Sequence, residues 1–435
     1  MSTLANWVGN FKTRYGRLEN PLPNINTFAE EMPFVRQDYR PGIGYEWPVV
    51  IGNEHGQTAD VSNTAFPFNP PVDSQIIRAN LDGATIAVIG DVPYDVDFRG
   101  MNGAGNGSQG GAFWAPYDAK HKLLLQSAGL YRELLLMYGC GGAAFTNPAC
   151  NLGIIATTPA PAGTFATPNT STLTLASNAP GLWVQMIGAK VDVLTSAGAT
   201  RQLGVTVQGY DPDTGLLTLF ASASGITPVA GDKIVPFGWK QKSAIGLEAW
   251  LLNTGTLAGI NAALVPFWKS VQLSAGGALS RTTIQALAAR LVSRGYPVGK
   301  GGKLYVAGPG FNDLLAETYL LQRFDKNTDS VKQQGAEELE YKTAIGVIKV
   351  VVNANTKQGQ AFFMCPGMSK RVGSTDVTTK ASGSQEMFLQ QLENNAGYRM
   401  RTMQNQAPGL KIPAYFGIIT GIVNSATSGA TGGVA

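Results

Sequence analysis

The spacing of apolar side chains predicts helices in three parts of the chain beyond its first twenty residues. A period of three to four residues, typical of one apolar helix face, recurs over about 116–138, 280–295 and 310–324. The first segment begins with Pro116 and ends before Gly139, and these residue types favour the start and the stop of a helix. We therefore expect one long helix there, with an apolar face wide enough to pack along a sheet or another helix.

Alternation of apolar and polar residues predicts an extended two-stranded arm. Residues 43–52 alternate as a strand, residues 53–71 form a polar, proline-rich tip, and residues 74–96 return as strand. Because an isolated ribbon is marginally stable in water, the arm is expected to lie on a partner surface. Its expected apolar contacts are Tyr45, Trp47, Phe66 and Phe68.

Short alternating strands separated by turns fill residues 158–240, where the sequence DPDTG at 211–215 predicts a hairpin turn. We interpret this part as a small β-barrel or sandwich inserted into a larger α+β fold. Beyond residue 279, helices alternate with strands that are expected to be buried at 303–309, 345–355 and 360–367. Further strands are expected at 396–406 and 414–424.

The first twenty residues predict a short amphipathic helix, because apolar side chains recur at three and four positions. We interpret this arm as a clamp onto a neighbouring subunit. Packing on its own domain and binding to a membrane surface are the alternatives. The aromatic residues expected to make the contact are Trp7, Phe11 and Tyr15.

Composition favours a surface that neighbouring subunits cover. Charged residues make up only 14% of the chain and glycine 53 of its 435 residues, and the core of a lasting interface is depleted in charge. A protein rich in Gly, Ser and Thr loops is the alternative. The net charge of +4 is too small and diffuse for a protein that reads DNA by charge. We expect no signal peptide and no membrane span, and a chain that stays in the cytosol.

The residues of common catalytic and metal sites are scarce. The only two histidines, His55 and His121, have no candidate nucleophile nearby in sequence. The three cysteines form no CxxC pair, which disfavours a disulfide framework and a zinc site. A GxGxxG match at 105–110 lacks the acidic residue that dinucleotide binding requires after a second strand, so we interpret it as a hinge. We expect no catalytic, cofactor-binding or metal-binding residues. An enzyme with a β-rich accessory domain is the alternative.

Residues 246–273 are apolar, with Glu248 and Lys269 as their only ionisable side chains, and the segment suggests a surface made to be covered. Together with 279–324 and 341–367, this segment resembles the major capsid proteins of tailed bacteriophages, the Hong Kong 97 type. The residues that stand at the family's positions are Gly246, Leu247, Gly259, Trp268, Pro309, Arg323 and Phe324.

The resemblance implies an α+β fold of the Hong Kong 97 type, with an inserted small β domain. The implied parts are an N-terminal arm (1–40), an extension loop (41–96), a peripheral domain with a spine helix (97–157), the inserted domain (158–240), an axial domain (241–375), and returning strands with a tail (376–435). In such an axial domain, five or six copies would meet through residues that include Gly246, Leu247, Trp268, Arg323 and Phe324.

The implied function is structural and not enzymatic. Copies of the chain would assemble in the host bacterial cytoplasm into an icosahedral shell of pentamers and hexamers. The shell would become the virion capsid, enclose double-stranded DNA and contact it non-specifically on its inner face. Scaffolding, portal and decoration proteins are the implied partners. The alternative within the same fold is the shell of an encapsulin-type compartment.

Some relatives lock the shell with a bond between a loop lysine and an asparagine of the next subunit. Here no lysine lies between Lys12 and Lys120. The arm therefore lacks the primary amine that this bond needs, and an arginine cannot replace it because the guanidinium stays protonated. We expect no such cross-link from this arm.

Overall fold

The computed structural model describes residues 28–36, 44–59, 65, 68–94, 116–141, 151–156, 170–221, 228–253, 255–322, 339–380, 389–393 and 396–424. Several predicted features lie outside these residues, and the expectations for them stay as stated. They are the N-terminal arm with Trp7, Phe11 and Tyr15, the hinge at 105–110, and the residues Phe66, Arg323 and Phe324.

Five α-helices occur within the described residues. They are α1 (Pro116–Tyr138), α2 (Pro180–Gln185), α3 (Leu247–Leu251), α4 (Arg281–Ser293) and α5 (Gly308–Gln322). Helix α1 has the predicted bounds and, with 23 residues, is about 35 Å long. Three short 3-10 helices accompany them at Phe28–Glu31, Pro266–Trp268 and Pro413–Tyr415.

The described part of the chain also contains twenty-one strands, and they form most of its regular structure. In chain order they are β1 (Phe34–Arg36), β2 (Tyr45–Gly52), β3 (Gln75–Leu81), β4 (Ala84–Pro93), β5 (Gly153–Ile155), β6 (Thr170–Ser177), β7 (Lys190–Leu194), β8 (Thr200–Asp211), β9 (Leu216–Phe220), β10 (Lys233–Pro236), β11 (Thr256–Leu257), β12 (Ile260–Asn261), β13 (Val271–Gly277), β14 (Gly302–Val306), β15 (Leu339–Thr343), β16 (Gly346–Val352), β17 (Gln360–Met364), β18 (Ser369–Thr378), β19 (Leu389–Gln391), β20 (Gly397–Leu410) and β21 (Gly417–Ile422).

One sheet has six strands in the order β13-β21-β17-β14-β16-β15. Its pairs β13–β21 and β14–β16 are parallel, and the others are antiparallel. Helix α4 packs on β13 and β15, and helix α5 packs on β16. Helix α4 begins where the hydroxyl of Ser280 accepts a hydrogen bond from the backbone N–H of Thr283, a typical N-cap.

A five-stranded sheet forms a second layer, on which α1 lies. Its order is β1-β18-β20-β19, and β4 pairs with β20. Helix α1 packs on β4 and β20. Strand β18 belongs to this sheet, although it begins at Ser369 within the predicted axial domain, and β21 belongs to the six-stranded sheet, although the prediction assigned it to the periphery. The sheets therefore do not follow the predicted division at residue 375.

The predicted return strand at 74–96 is two strands in different sheets. Strand β3 pairs with β2, whereas β4 pairs with β20 over ten positions. The break falls at Gly83, where a Cβ atom would lie 2.6 Å from the ring of Tyr45. A side chain would not fit beside that ring, so glycine permits the chain to leave the ribbon here. The two-stranded arm is accordingly shorter than predicted.

Strands β5 to β10 close into a barrel with the order β10-β5-β6-β9-β8-β7. Closure leaves no strand edge open, and alternate side chains fill the interior. The predicted hairpin turn connects β8 to β9, and β5 adds a strand before residue 158, where the inserted domain was expected to begin. The buried interior side chains include Leu173, Leu175, Val191, Val193, Val205, Val207, Leu217, Leu219 and Ile234.

Candidate assembly surface

A polar loop joins β16 to β17 and lies in the interior of the folded chain. Loops usually run over a protein surface, but here Asn353, Asn355, Thr356, Lys357 and Gln358 are at most 2% exposed. A buried loop must satisfy its polar groups internally, so its partners define what it holds together. We call this loop with the first residue of β17, residues 353–360, together with its partners Glu133, Tyr138 and Glu248, the buried junction.

The end of α1 is fixed to the buried junction by two side chains. The hydroxyl of Tyr138 donates to the carbonyl of Asn355 at 2.6 Å and accepts from the backbone N–H of Lys357 at 3.2 Å. One turn earlier, Glu133 Oε1 accepts from the side-chain amides of Asn355 at 3.0 Å and Asn353 at 3.3 Å. Burial raises the pKa of Tyr138 well above its ordinary value, so the hydroxyl stays protonated and can donate.

A buried ion pair connects the junction to α3. Lys357 Nζ lies 2.8 and 3.0 Å from the two carboxylate oxygens of Glu248, and the side chains are 1% and 2% exposed. Gln360 donates a further hydrogen bond to this carboxylate at 2.8 Å. The ammonium group also lies 4.5 Å from the ring centroid of Tyr138. This pair is sealed from solvent, so it holds elements together and offers no access to a substrate.

The barrel is attached to the same junction. The backbone N–H of Gln358 donates to the carbonyl of Asn178 at 2.9 Å, and the Asn178 side chain donates to the Tyr210 hydroxyl at 2.7 Å. From α2, Gln185 donates to Asn355 Oδ1 at 3.0 Å. Helix α1, the barrel and the six-stranded sheet thus meet at one hydrogen-bonded loop.

The junction contains acidic, basic and phenolic groups: Lys357 is paired with Glu248, and Tyr138 and Glu133 hydrogen-bond to the loop. A search of the described ranges finds no group of three or more His, Cys, Asp or Glu side chains that could hold a metal ion. In the same part of the chain, no helix is long and apolar enough to cross a membrane. The described residues also expose large apolar side chains in several places, and one group of them lies on the ribbon of β2 and β3 and at its tip.

The ribbon is anchored at its base. Tyr45 is fully buried, and its hydroxyl hydrogen-bonds to the side chain of Asn405 on β20. On β3, the backbone N–H of Asn80 donates to the carbonyl of Ala258 at 2.8 Å, in the turn between β11 and β12. Ala258 adopts a positive φ of 50° there, next to Gly259 at 80°. These contacts fix the direction in which the ribbon leaves the chain.

The two faces of the ribbon have different surroundings. Trp47, Val49 and Ile51 pack against the core of the chain, with the Trp47 ring centroid 5.5 Å from Lys370 Nζ. The opposite face carries Val50 and Ile76, which are cross-strand partners. Large apolar side chains on that face and at the tip are exposed. This distal ribbon surface consists of Val50 (56% exposed), Phe68 (84%), Val72 (57%) and Ile76 (59%).

The structure places four predicted interface residues inside the chain. Tyr45, Leu247 and Trp268 are at most 1% exposed, so their side chains are not available to a neighbouring copy in this conformation. At Gly246, a Cβ atom would lie 2.3 Å from the backbone nitrogen of Gly139. This glycine permits the start of α3 to contact the end of α1. Of the remaining predicted ribbon contacts, Trp47 is half-buried against the core and Phe68 is exposed.

The apolar segment 246–273 is covered mainly by its own chain, and not by the surface contacts that the sequence suggested. Trp250 and Trp268 pack edge to face with ring centroids 5.8 Å apart, and each indole N–H donates to a backbone carbonyl. Among the large apolar side chains described in this segment, the exposed ones lie in the turn that follows β12, where Leu264 is 79% exposed and Phe267 is 55% exposed. These two side chains are a smaller second candidate for contact with another copy.

The buried junction was missed by the sequence reasoning. Residues 353–355 were assigned to a strand and the rest of the loop to no site. One signal was present, because Glu248 is an acidic residue in an otherwise apolar segment. A buried carboxylate requires a partner, but the sequence does not reveal that Lys357, 109 positions away, is that partner.

Comparison with known proteins found similar solved structures only. No family model matches the chain, and no curated protein matches it. A chain of the cyanophage A-1(L) capsid is 10% identical, with 94% of this chain and 95% of that chain covered and a TM-score of 0.49. A chain from Mycobacterium phage Bobi is also 10% identical, covering 97% and 99%, with a TM-score of 0.42. The SrpI encapsulin of Synechococcus elongatus is 6% identical, covering 97% and 96%, with a TM-score of 0.37. These similar structures are phage capsids and an encapsulin shell.

Proposed function

We propose that the chain is the subunit of a protein shell, as the sequence resemblance to tailed-phage major capsid proteins implies. The observation that carries the proposal is the distal ribbon surface. Two cross-strand apolar residues, Val50 and Ile76, are more than half exposed on a ribbon that is anchored through its base and its other face. Exposed apolar area of this kind is unfavourable in water, and its burial by another molecule stabilises the resulting complex.

A second copy of the chain is the occupant that the proposal requires. Full burial of a valine or isoleucine side chain stabilises by about 1.5–3 kcal/mol relative to exposure, so each ribbon contributes a modest contact. Closed symmetry repeats that contact around the shell, and many modest contacts then hold one particle. The buried junction suits this role, because it keeps the elements of each subunit in a fixed relation.

The finer features of the proposal follow the same resemblance. The shell is icosahedral, is built of pentamers and hexamers, and encloses double-stranded DNA as the capsid of a phage virion assembled in the host cytoplasm. Scaffolding, portal and decoration proteins are its proposed partners. The proposed domains are those stated from the sequence, with two changes. Strand β18 belongs with the five-stranded sheet on which α1 lies, and β21 belongs with the six-stranded sheet. The residues 1–20 are proposed to dock on an adjacent subunit through Trp7, Phe11 and Tyr15.

The proposal is tested by changing the distal ribbon surface and measuring assembly. The double variant V50S/I76S removes apolar area from exposed positions, so the unfolding midpoint should stay near that of the wild type. Sedimentation velocity should show that large particles are lost or strongly reduced. The matched control V50I/I76V keeps the surface apolar and should assemble normally. Wild-type yields of particles from V50S/I76S would contradict the proposal.

A further inference from the structure

The outside of the barrel carries two neighbouring apolar side chains that are exposed. Leu203 on β8 is 63% exposed, and Phe237, the residue after β10, is 53% exposed. The two positions adjoin, because a Cβ atom on Gly204 would lie 3.5 Å from the Phe237 ring. Neither side chain fills the barrel interior, so both are available for contact with another molecule.

A buried carboxylate fixes the backbone beneath this pair. Asp192 is 1% exposed, and its Oδ1 accepts a hydrogen bond from the backbone N–H of Gly204 at 2.9 Å, while its Oδ2 accepts from that of Gly238 at 2.8 Å. Both glycines have a positive φ, 67° and 75°, which other residues rarely adopt. The backbone that presents Leu203 and Phe237 is therefore ordered before a partner arrives, which lowers the entropic cost of binding.

Three lysines lie around the apolar pair. Lys190 and Lys242 are exposed and Lys240 is partly exposed. The carbonyl of Lys190 accepts from the backbone N–H of Phe237 at 3.2 Å, and Lys240 Nζ lies 3.1 Å from Thr200 Oγ1 at the start of β8. We call this surface the barrel patch, and it consists of Lys190, Leu203, Phe237, Lys240 and Lys242.

The acidic residues described in the barrel do not offset these lysines. Asp192 and Asp232 are at most 2% exposed. Asp211 and Asp213 lie in the turn after β8, which is about eight residues or roughly 25 Å along the strand from Leu203. The barrel patch therefore combines apolar and positively charged groups, and it fits a partner that combines apolar and negatively charged groups.

The tip of the ribbon has this complementary composition. Phe68 and Val72 are exposed there, and Val72 pairs across the ribbon with His55. The antiparallel register of that pair places Glu54 opposite Asp73. Both acids are exposed, and within the described residues neither forms an ion pair. Two like charges in opposite positions are unfavourable in an antiparallel pair, so cations from a partner would stabilise this tip.

We propose that the ribbon tip of one copy lies on the barrel patch of a second copy. The exposed apolar side chains of the tip cover Leu203 and Phe237, and Glu54 and Asp73 face the lysines. The contact joins two different surfaces, so it repeats from each copy to the next around a ring. This inference rests on the proposed function and names the surface that the ribbon covers.

The exposure of both surfaces favours a second copy as the partner. In the single chain Phe68, Val72, Leu203 and Phe237 are each more than half exposed, so the tip and the barrel patch do not cover each other within one chain. The phosphate backbone of DNA would pair with the lysines, but it offers no apolar surface to the two side chains at the centre of the patch.

Charge reversal tests the contact. The variants E54K/D73K and K240E/K242E each place like charges against each other, and each should lose most of the large particles in sedimentation velocity. The chain that carries all four substitutions restores opposite charges and should regain the particles. The control D213K changes an exposed acid away from the patch and should assemble as the wild type. All these positions are at least partly exposed, so the unfolding midpoints should stay near that of the wild type.

Cross-linking with single cysteine variants tests the contact without any change of charge. Particles assembled from a mixture of V72C and L203C chains should give a mixed dimer with a short bis-maleimide. A mixture of V72C and L264C, which places the second cysteine at an exposed apolar position outside the patch, should not. A mixture of V72C with the wild type measures the background from the native cysteines, of which Cys140 and Cys365 are buried.

The outcomes separate this contact from the proposed function. Wild-type particle yields from K240E/K242E, or equal cross-linking to L203C and L264C, would overturn the contact and leave the shell in place. K240E/K242E particles that form normally but retain less nucleic acid would assign the patch to DNA and overturn it as well. Absence of particles from the wild type would overturn the proposed function, and the contact with it.

Discussion

At the scale of single residues, two of the Lys–Glu pairs among the described residues have opposite surroundings. Lys357 and Glu248 are 1% and 2% exposed, whereas Lys349 and Glu340 are 44% and 47% exposed at an N–O distance of 3.1 Å. The chemistry of the two pairs is the same, so burial alone decides their contribution. Removal of one partner from the buried pair leaves an unpaired charge in the interior, whereas the exposed pair returns to water.

The variant K357M should therefore lower the free energy of unfolding by about 3–5 kcal/mol, because Glu248 remains buried without a cation. The matched variant K349M should cost about 0–1 kcal/mol. The double variant K357M/E248Q should recover much of the loss, since it removes the uncompensated charge. Urea unfolding of the four proteins measures all three effects. If K357M and K349M have the same midpoint, the buried pair does not hold the junction.

At the scale of secondary-structure elements, the barrel and the loop 353–360 contact each other through a glycine. A Cβ atom on Gly181 of α2 would lie 2.4 Å from the Cβ of Ala354. The two segments are therefore packed too closely for a methyl group at position 181. The exchange G181A should destabilise the chain by about 1–3 kcal/mol through overpacking. Gly209, in β8 of the barrel, has no atom within 4 Å of its Cβ position. The variant G209A should accordingly change the midpoint of thermal unfolding little. Thermal unfolding of G181A and G209A compares the two positions. An equal loss of stability in both variants would show that the contact of α2 with Ala354 is not tight.

Elements with a strong local pattern could be predicted from the sequence, and elements defined by distant partners could not. Helix α1 has the bounds that Pro116 and Gly139 indicated, and the DPDTG turn lies between β8 and β9 as expected. The division of the return strand depends on how Gly83 meets the Tyr45 ring, which no local pattern reveals.

The candidate site divides in the same way. The polar, proline-rich sequence of 53–71 predicted the tip between β2 and β3, and its described residues are mostly exposed. The burial of Tyr45, Leu247 and Trp268 was not predicted, because apolar residues that cover a core and apolar residues that cover a partner look alike in sequence. The buried junction depends on pairs more than one hundred positions apart, such as Lys357 with Glu248.

At the scale of the whole molecule, the arm lacks the chemistry for a lysine-based cross-link between subunits. Among its described residues, Arg78 on β3 is the only lysine or arginine, and a guanidinium is not a nucleophile at neutral pH. Assembled protein boiled in detergent under reducing conditions should run as one band near 45.9 kDa. A ladder of covalent oligomers would contradict this expectation.

The central claim is that many copies of this chain form one closed shell. Electron microscopy of the purified full-length protein at neutral pH tests it most directly. The account predicts closed particles of uniform diameter, in which averaged images show the ribbon of one subunit lying on the next. A preparation that contains only monomers, small oligomers or irregular aggregates would contradict it.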